Sequence, residues 1–147
     1  MIDLAAALRS LTFAELVGDV LVGGARMRLQ FTDLFGDITI AGGHVLVYGA
    51  LPKADGTLRL RPQRGVVAAL DALREIHVDD AEVDAAYVIH GTDPALLLAC
   101  VPELRALAGH DTTVDVSDTA ISVRCAEKES ALIGALALWH RAAFFRT

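Results

Sequence analysis

The feature that most constrains the fold is a change of period at Pro62. From Phe13 to Arg61 the pattern is mainly an alternation of apolar and polar residues, the signature of strands half-buried in a sheet. Directly afterwards Val66, Val67, Leu70, Leu73 and Ile76 recur at steps of three and four, the signature of an amphipathic helix. Such a chain is predicted to be α+β, with helices covering one face of an antiparallel sheet.

Within the first half, Val20–Val22 and Ala25–Phe31 flank Gly23-Gly24, a dipeptide that accepts the positive φ of a tight hairpin. Met27, Leu29 and Phe31 then share one face of a strand, and Arg26, Arg28 and Gln30 the other. Ile38–Ile40, Val45–Tyr48 and Thr57–Arg61 are further short strands, separated by Gly42-Gly43 and by residues 52–56, and together they predict an antiparallel meander. In the second half, His77–Asp84 reads as a polar, acidic stretch and Ala85–His90 as a strand. Asp93-Pro94 reads as a helix start, because Asp caps free amides and Pro at the first helical position loses no needed hydrogen bond. That helix is expected to reach Ala108, with Pro102 producing a kink or a junction of two helices near Cys100. Thr112–Val116 and Ala120–Cys125 form a second predicted hairpin around residues 117–119, and a last helix runs from about Glu127 to Phe145. The 147 residues suit a single compact domain, with two lobes meeting near 62–84 as its coarsest division.

Composition narrows the function classes. Aromatics make up 5% of the chain, which disfavours stacking platforms for bases or sugars. The formal charge of −6 argues against nonspecific nucleic-acid binding. Residues 1–74 hold eight Lys or Arg against seven Asp or Glu, whereas residues 75–147 hold five against twelve, so the acidic second half dominates the field. The longest stretch without Asp, Glu, Lys or Arg, Ile38–Pro52, is shorter than the roughly 20 apolar residues of a membrane span. Residues 1–10 lack a basic region followed by an apolar stretch, so no signal peptide is expected. Cys100 and Cys125 lack C-x-x-C spacing and point to free thiols in a reducing compartment, hence a cytoplasmic location.

Tyr87–His90, Gly91, Asp93-Pro94 and Glu103-Leu104-Arg105 make up a strand, a Gly-x-Asp-Pro helix start and a Glu-Leu-Arg helix end, followed by the second hairpin. Over residues 84–125 this arrangement resembles a family of bacterial α+β domains of unknown function, several of which look membrane-tethered. The resemblance implies a fold and no activity, and the tether is not expected here.

The candidate sites are few. Asp79, Asp80, Glu82 and Asp84, with His77 before them, supply hard oxygen ligands, but the spacing lacks the Gly and Glu of a calcium loop, and a solvated loop is expected. His90, Thr92 and Asp93 stand at a strand-to-helix junction where anions can bind, yet no glycine-rich phosphate loop accompanies them and Asp93 is expected to act as a cap. Cys100 lies in an apolar stretch and Cys125 ends a strand, and neither has a histidine beside it in sequence. No Ser occupies a Gly-x-Ser-x-Gly turn. No catalytic residue, metal site or cofactor is assigned.

Two surfaces remain. Arg26, Arg28, Arg59 and Arg61 alternate with apolar residues and can present a guanidinium-bearing sheet face suited to carboxylate or phosphate. On the last helix Leu132, Ile133, Leu136, Trp139, Ala143 and Phe144 form one apolar stripe, with Leu138 and Phe145 away from it, beyond what one buried face requires. The sequence therefore predicts a non-enzymatic interaction or oligomerisation module. Leu138, Trp139 and Phe145 would contact a protein partner or a second copy, with the arginines as a charge-selective second surface. The alternative is a small-ligand or enzymatic domain with a pocket between the halves, lined by His44, Tyr48, Tyr87 and His90.

Overall fold

The computed structural model describes residues 16–17, 26–31, 33–63, 76, 78 and 80–147. Among these the chain forms an α+β fold built on one eight-stranded antiparallel sheet. The strands are β1 (Leu16–Val17), β2 (Arg26–Phe31), β3 (Leu34–Ala41), β4 (His44–Ala50), β5 (Leu58–Pro62), β6 (Tyr87–Gly91), β7 (Thr113–Val116) and β8 (Ala120–Ala126), in the order β1-β2-β3-β4-β8-β7-β5-β6. The helices are α1 (Ala81–Ala86), α2 (Pro94–Ala99), α3 (Val101–Leu107) and α4 (Glu129–Phe145).

The alternation of the first half places Met27, Leu29, Ile38, Val45 and Val47 in the core and turns the residues between them outward. Gly42 and Gly43 have φ of 59° and 77°, the pair of positive values that a two-residue hairpin of the strand-compatible hand requires, and Ala41 pairs with His44 across it. The register of β1 with β2, Leu16 opposite Phe31 and Val17 opposite Gln30, is centred on Gly23-Gly24, which itself lies outside the described residues. The expected helix over Val66–Ile76 and residues His77 and Asp79 also fall outside them, except for Ile76.

Two expectations are corrected. Thr57–Arg61 does not extend the meander, because β4 pairs instead with β8 of the second half, and β5 inserts between β7 and β6. Both halves thereby share one sheet. The acidic stretch is also not simply a loop, since Asp80 accepts a hydrogen bond from the Val83 amide at 3.0 Å and starts α1. Pro102 marks a junction of two helices, with Cys100 at the boundary of α2 and α3.

α4 packs on β4 and β8 of the sheet and, at its side, against α2 and α3, which themselves reach the sheet. Leu132, Leu136, Leu138, Trp139, Ala142 and Ala143 are all buried, so a helix that looked over-apolar for a surface position is covered on more than one side by its own fold. Toward the sheet, Gly36 and Gly49 are cross-strand partners that open a slot for the Trp139 indole, and Trp139 Nε1 donates to the Ala50 carbonyl at 2.9 Å. Toward the helices, a Cβ on Gly134 would meet Leu107 at 3.0 Å, so the glycine sets the close approach of α4 to α3. The residual void between sheet and helices, lined by Leu60, Leu97, Cys100 and Leu138 among others, is about 10 Å³, at most the size of one water.

Candidate interaction face

The opposite face of the sheet carries the outward residues of the same alternation. Six registers join them into one lateral row: Arg28 faces Asp37, Asp37 faces Tyr48, Tyr48 faces Ser122, Ser122 faces Asp115, Asp115 faces Arg59, and Arg59 faces His90. The row crosses seven strands, roughly 29 Å at the usual strand spacing. A second row beside it runs through Arg26, Thr39, Leu46, Arg124 and Thr113.

Charge and apolar surface alternate on this face. Asp115 binds two guanidinium groups: both its oxygens accept from Nη2 of Arg61, at 3.1 and 3.2 Å, and Nε of Arg59 lies 3.4 Å away. Arg61 also donates to the Leu60 carbonyl, which fixes its plane. Arg28 stacks over Phe35, 5.1 Å from the ring centroid. Arg124 lies 3.3 Å from His44 Nδ1, and His44 Nε2 lies 3.6 Å from Asp111 at the rim. Between these groups Tyr48, Phe35 and Leu46 are 52%, 46% and 40% exposed. Large apolar side chains on a sheet face are ordinarily covered.

A depression of about 670 Å³ lies along the first row at the strand ends, lined by Tyr48, Arg59, His90, Asp115, Ser117 and Ser122 among others. From Tyr48 on β4 to His90 on β6 there are four strand steps, roughly 19 Å. It is therefore a trough along the sheet.

The structure brings together only part of what the sequence singled out. Of the four residues expected to line a pocket between the halves, Tyr48 and His90 share the trough. His44 belongs to a separate depression with Asp111 and Arg124, and Tyr87 lies in the core with its hydroxyl donating to the Leu104 carbonyl at 2.9 Å. Burial pushes the Tyr87 phenol upward. Arg28, Arg59 and Arg61 share the outer face, and Arg26 holds the corresponding register position opposite Thr39. Leu138 and Trp139 are buried and offer no contact surface, because α2 and α3 cover the first and the glycine slot holds the second. Phe145 is exposed, as is Phe144, which the stripe had placed inside. Leu46, Phe35 and Arg124 were missed: Leu46 and Phe35 stand beside other apolar residues, so alternation does not mark them as outward, and Arg124 joins them only because β8 pairs with β4.

The remaining polar candidates hold the fold together. The Arg105 guanidinium hydrogen-bonded to Asp80 holds that carboxyl below the usual carboxylate range, and Asp84 accepts from the Val78 amide. Asp93 caps α2 through the Leu96 amide at 3.1 Å. Glu103 accepts from Arg141 Nε of α4 at 3.0 Å, so Glu103-Leu104-Arg105 ties α3 to α4, to the core and to the start of α1. Burial pushes the Cys100 thiol up to about 12 and that of Cys125 to about 11.

No helix among the described residues is long and apolar enough to cross a membrane. No family model matches the chain, and no curated protein is detectably similar to it. The fold is similar to the crystal structure of the mycobacterial trehalose monomycolate transport factor A, TtfA, with a TM-score of 0.52 and 13% identity over 85% of this chain and 72% of that one. This likeness concerns the fold alone.

Proposed function

We propose that the protein is a non-enzymatic contact module whose working surface is the outer face of the sheet, in place of the last helix. The observation that carries this reading is the exposure of Tyr48, Phe35 and Leu46 on one continuous face, while α2, α3 and α4 bury the other. Each fully covered side chain of this size contributes roughly 1.5–3 kcal/mol, enough to make the face a favourable docking surface once arginines fix the orientation. The trough favours an elongated occupant over a compact one, since its polar groups are spread along the row. Among the described residues, the void between sheet and helices is about 10 Å³, too small for a small substrate. The solved neighbour is named for transport, and no transport role is carried over to this chain.

The test is site-specific photocrosslinking. A photoreactive phenylalanine analogue at Tyr48 should give one defined protein adduct in cells, Leu46→Asp should remove it, and the same analogue at Glu129 should not give it. No adduct at Tyr48, or one indifferent to Leu46→Asp, overturns the reading.

A further inference from the structure

Resting on that reading, we infer that the occupant of the outer sheet face is an acidic, apolar-containing segment of a partner protein. The argument is charge complementarity. Arg28, Arg59, Arg61 and Arg124 face outward there against Asp37 and Asp115, a surplus of two positive charges on a chain whose formal charge is −6. The face is thus opposite in sign to the rest of the molecule. Every cation among the described outward strand residues is arginine, the side chain whose planar fork pairs with carboxylates, and Asp115 between Arg59 and Arg61 already shows the face holding a carboxylate.

Arg59 is 66% exposed on its side chain and its Nε lies 3.4 Å from Asp115, a loose contact that leaves most of the side chain open to an occupant of the face. Arg124 flanks Leu46 across the β4–β8 pairing, and Arg28 lies over Phe35, so these two apolar side chains each have a guanidinium beside them. A segment that alternates carboxylate and apolar side chains would meet both. Geometry separates this occupant from an anionic bilayer. A narrow segment lies within about 8 Å of the basic face, the screening length at physiological salt, and is shielded from the acidic remainder; a bilayer would span the whole molecule and meet its net negative charge. Asp37 and Asp115 in the middle of the row add local repulsion toward a continuous anionic surface.

The experiment is fluorescence anisotropy with the intact chain and three probes: a short labelled peptide alternating Glu with Leu, its Gln–Leu isostere, and phosphatidylglycerol vesicles. The Glu–Leu peptide should bind, weaken with added salt, and bind at least about tenfold more tightly than the isostere. Arg59→Glu with Arg124→Glu should weaken it by at least about tenfold while circular dichroism and the melting transition stay unchanged, as expected of exposed positions. Equal binding of the isostere, or equal binding by the charge-reversed variant, overturns acid selectivity and leaves the contact reading standing. Capture by vesicles without peptide binding overturns the peptide assignment in favour of a membrane. Binding by neither peptide nor vesicle, with no adduct at Tyr48, overturns both readings.

Discussion

At Gly49 the core admits no added atom. An added Cβ would overlap the Trp139 indole at Cε2 and Nε1, and Nε1 is itself held by its hydrogen bond to the Ala50 carbonyl, so the ring cannot retreat without breaking that bond. Gly49→Ala should therefore cost about 1–3 kcal/mol, read as a lower melting temperature, although Ala favours strands no less than Gly. The same substitution at Gly43 tests a different cause, since there the strain is the backbone φ of 77° with open space around it. The thiols behave as core atoms: Cys100 and Cys125 should resist a thiol reagent in the native protein at neutral pH and react only as it unfolds. Their inertness was legible for Cys100, set in Leu96-Leu97-Leu98. It was not legible for Cys125, whose neighbours Arg124 and Ala126 are polar or small and hide a side chain on the core face of β8.

Among the elements, α2 and α4 are coupled through one aspartate. Asp93 caps α2, and its Oδ2 lies 3.6 Å from Arg146 Nη2, a guanidinium only 1% exposed that also donates to the Ser117 and Gly56 carbonyls. Asp93→Ala removes a cap, worth about 1 kcal/mol, and leaves a buried cation short of its countercharge, so denaturant titration should show a loss of roughly 3 kcal/mol or more. Asp80→Ala removes the corresponding cap of α1 beside the exposed Arg105, and its loss should be smaller. Asp93-Pro94 announced its helix because a cap and a proline act locally. α4 was legible as a helix but not in what it covers. Its apolar residues on two sides were equally compatible with a partner and with a second layer of its own fold, and the position of α2 and α3 decided for the latter.

For the whole molecule, burial of ionisable groups sets an alkaline limit. The native thiol of Cys100 ionises at about 12 against an ordinary 9.0, so the unfolded chain releases its proton first as pH rises. Cys125, at about 11, and Tyr87, raised in the same direction, act alike. Their contribution to stability is complete below about pH 9 and is lost as pH climbs toward about 12. The melting temperature should fall across that window, and Cys100→Ala with Cys125→Ala should flatten the slope. By itself the sequence determined the α+β class, the hairpins at Gly42-Gly43 and residues 117–119, the capped start of α2 and the outward arginines, because period, turn chemistry and capping act over a few residues. Tertiary structure alone decided that β8 joins β4, that β5 leaves the meander, and that Trp139 is enclosed by paired glycines. Strand order is set by packing between distant segments, and that pairing converts separate alternating runs into one basic and apolar face.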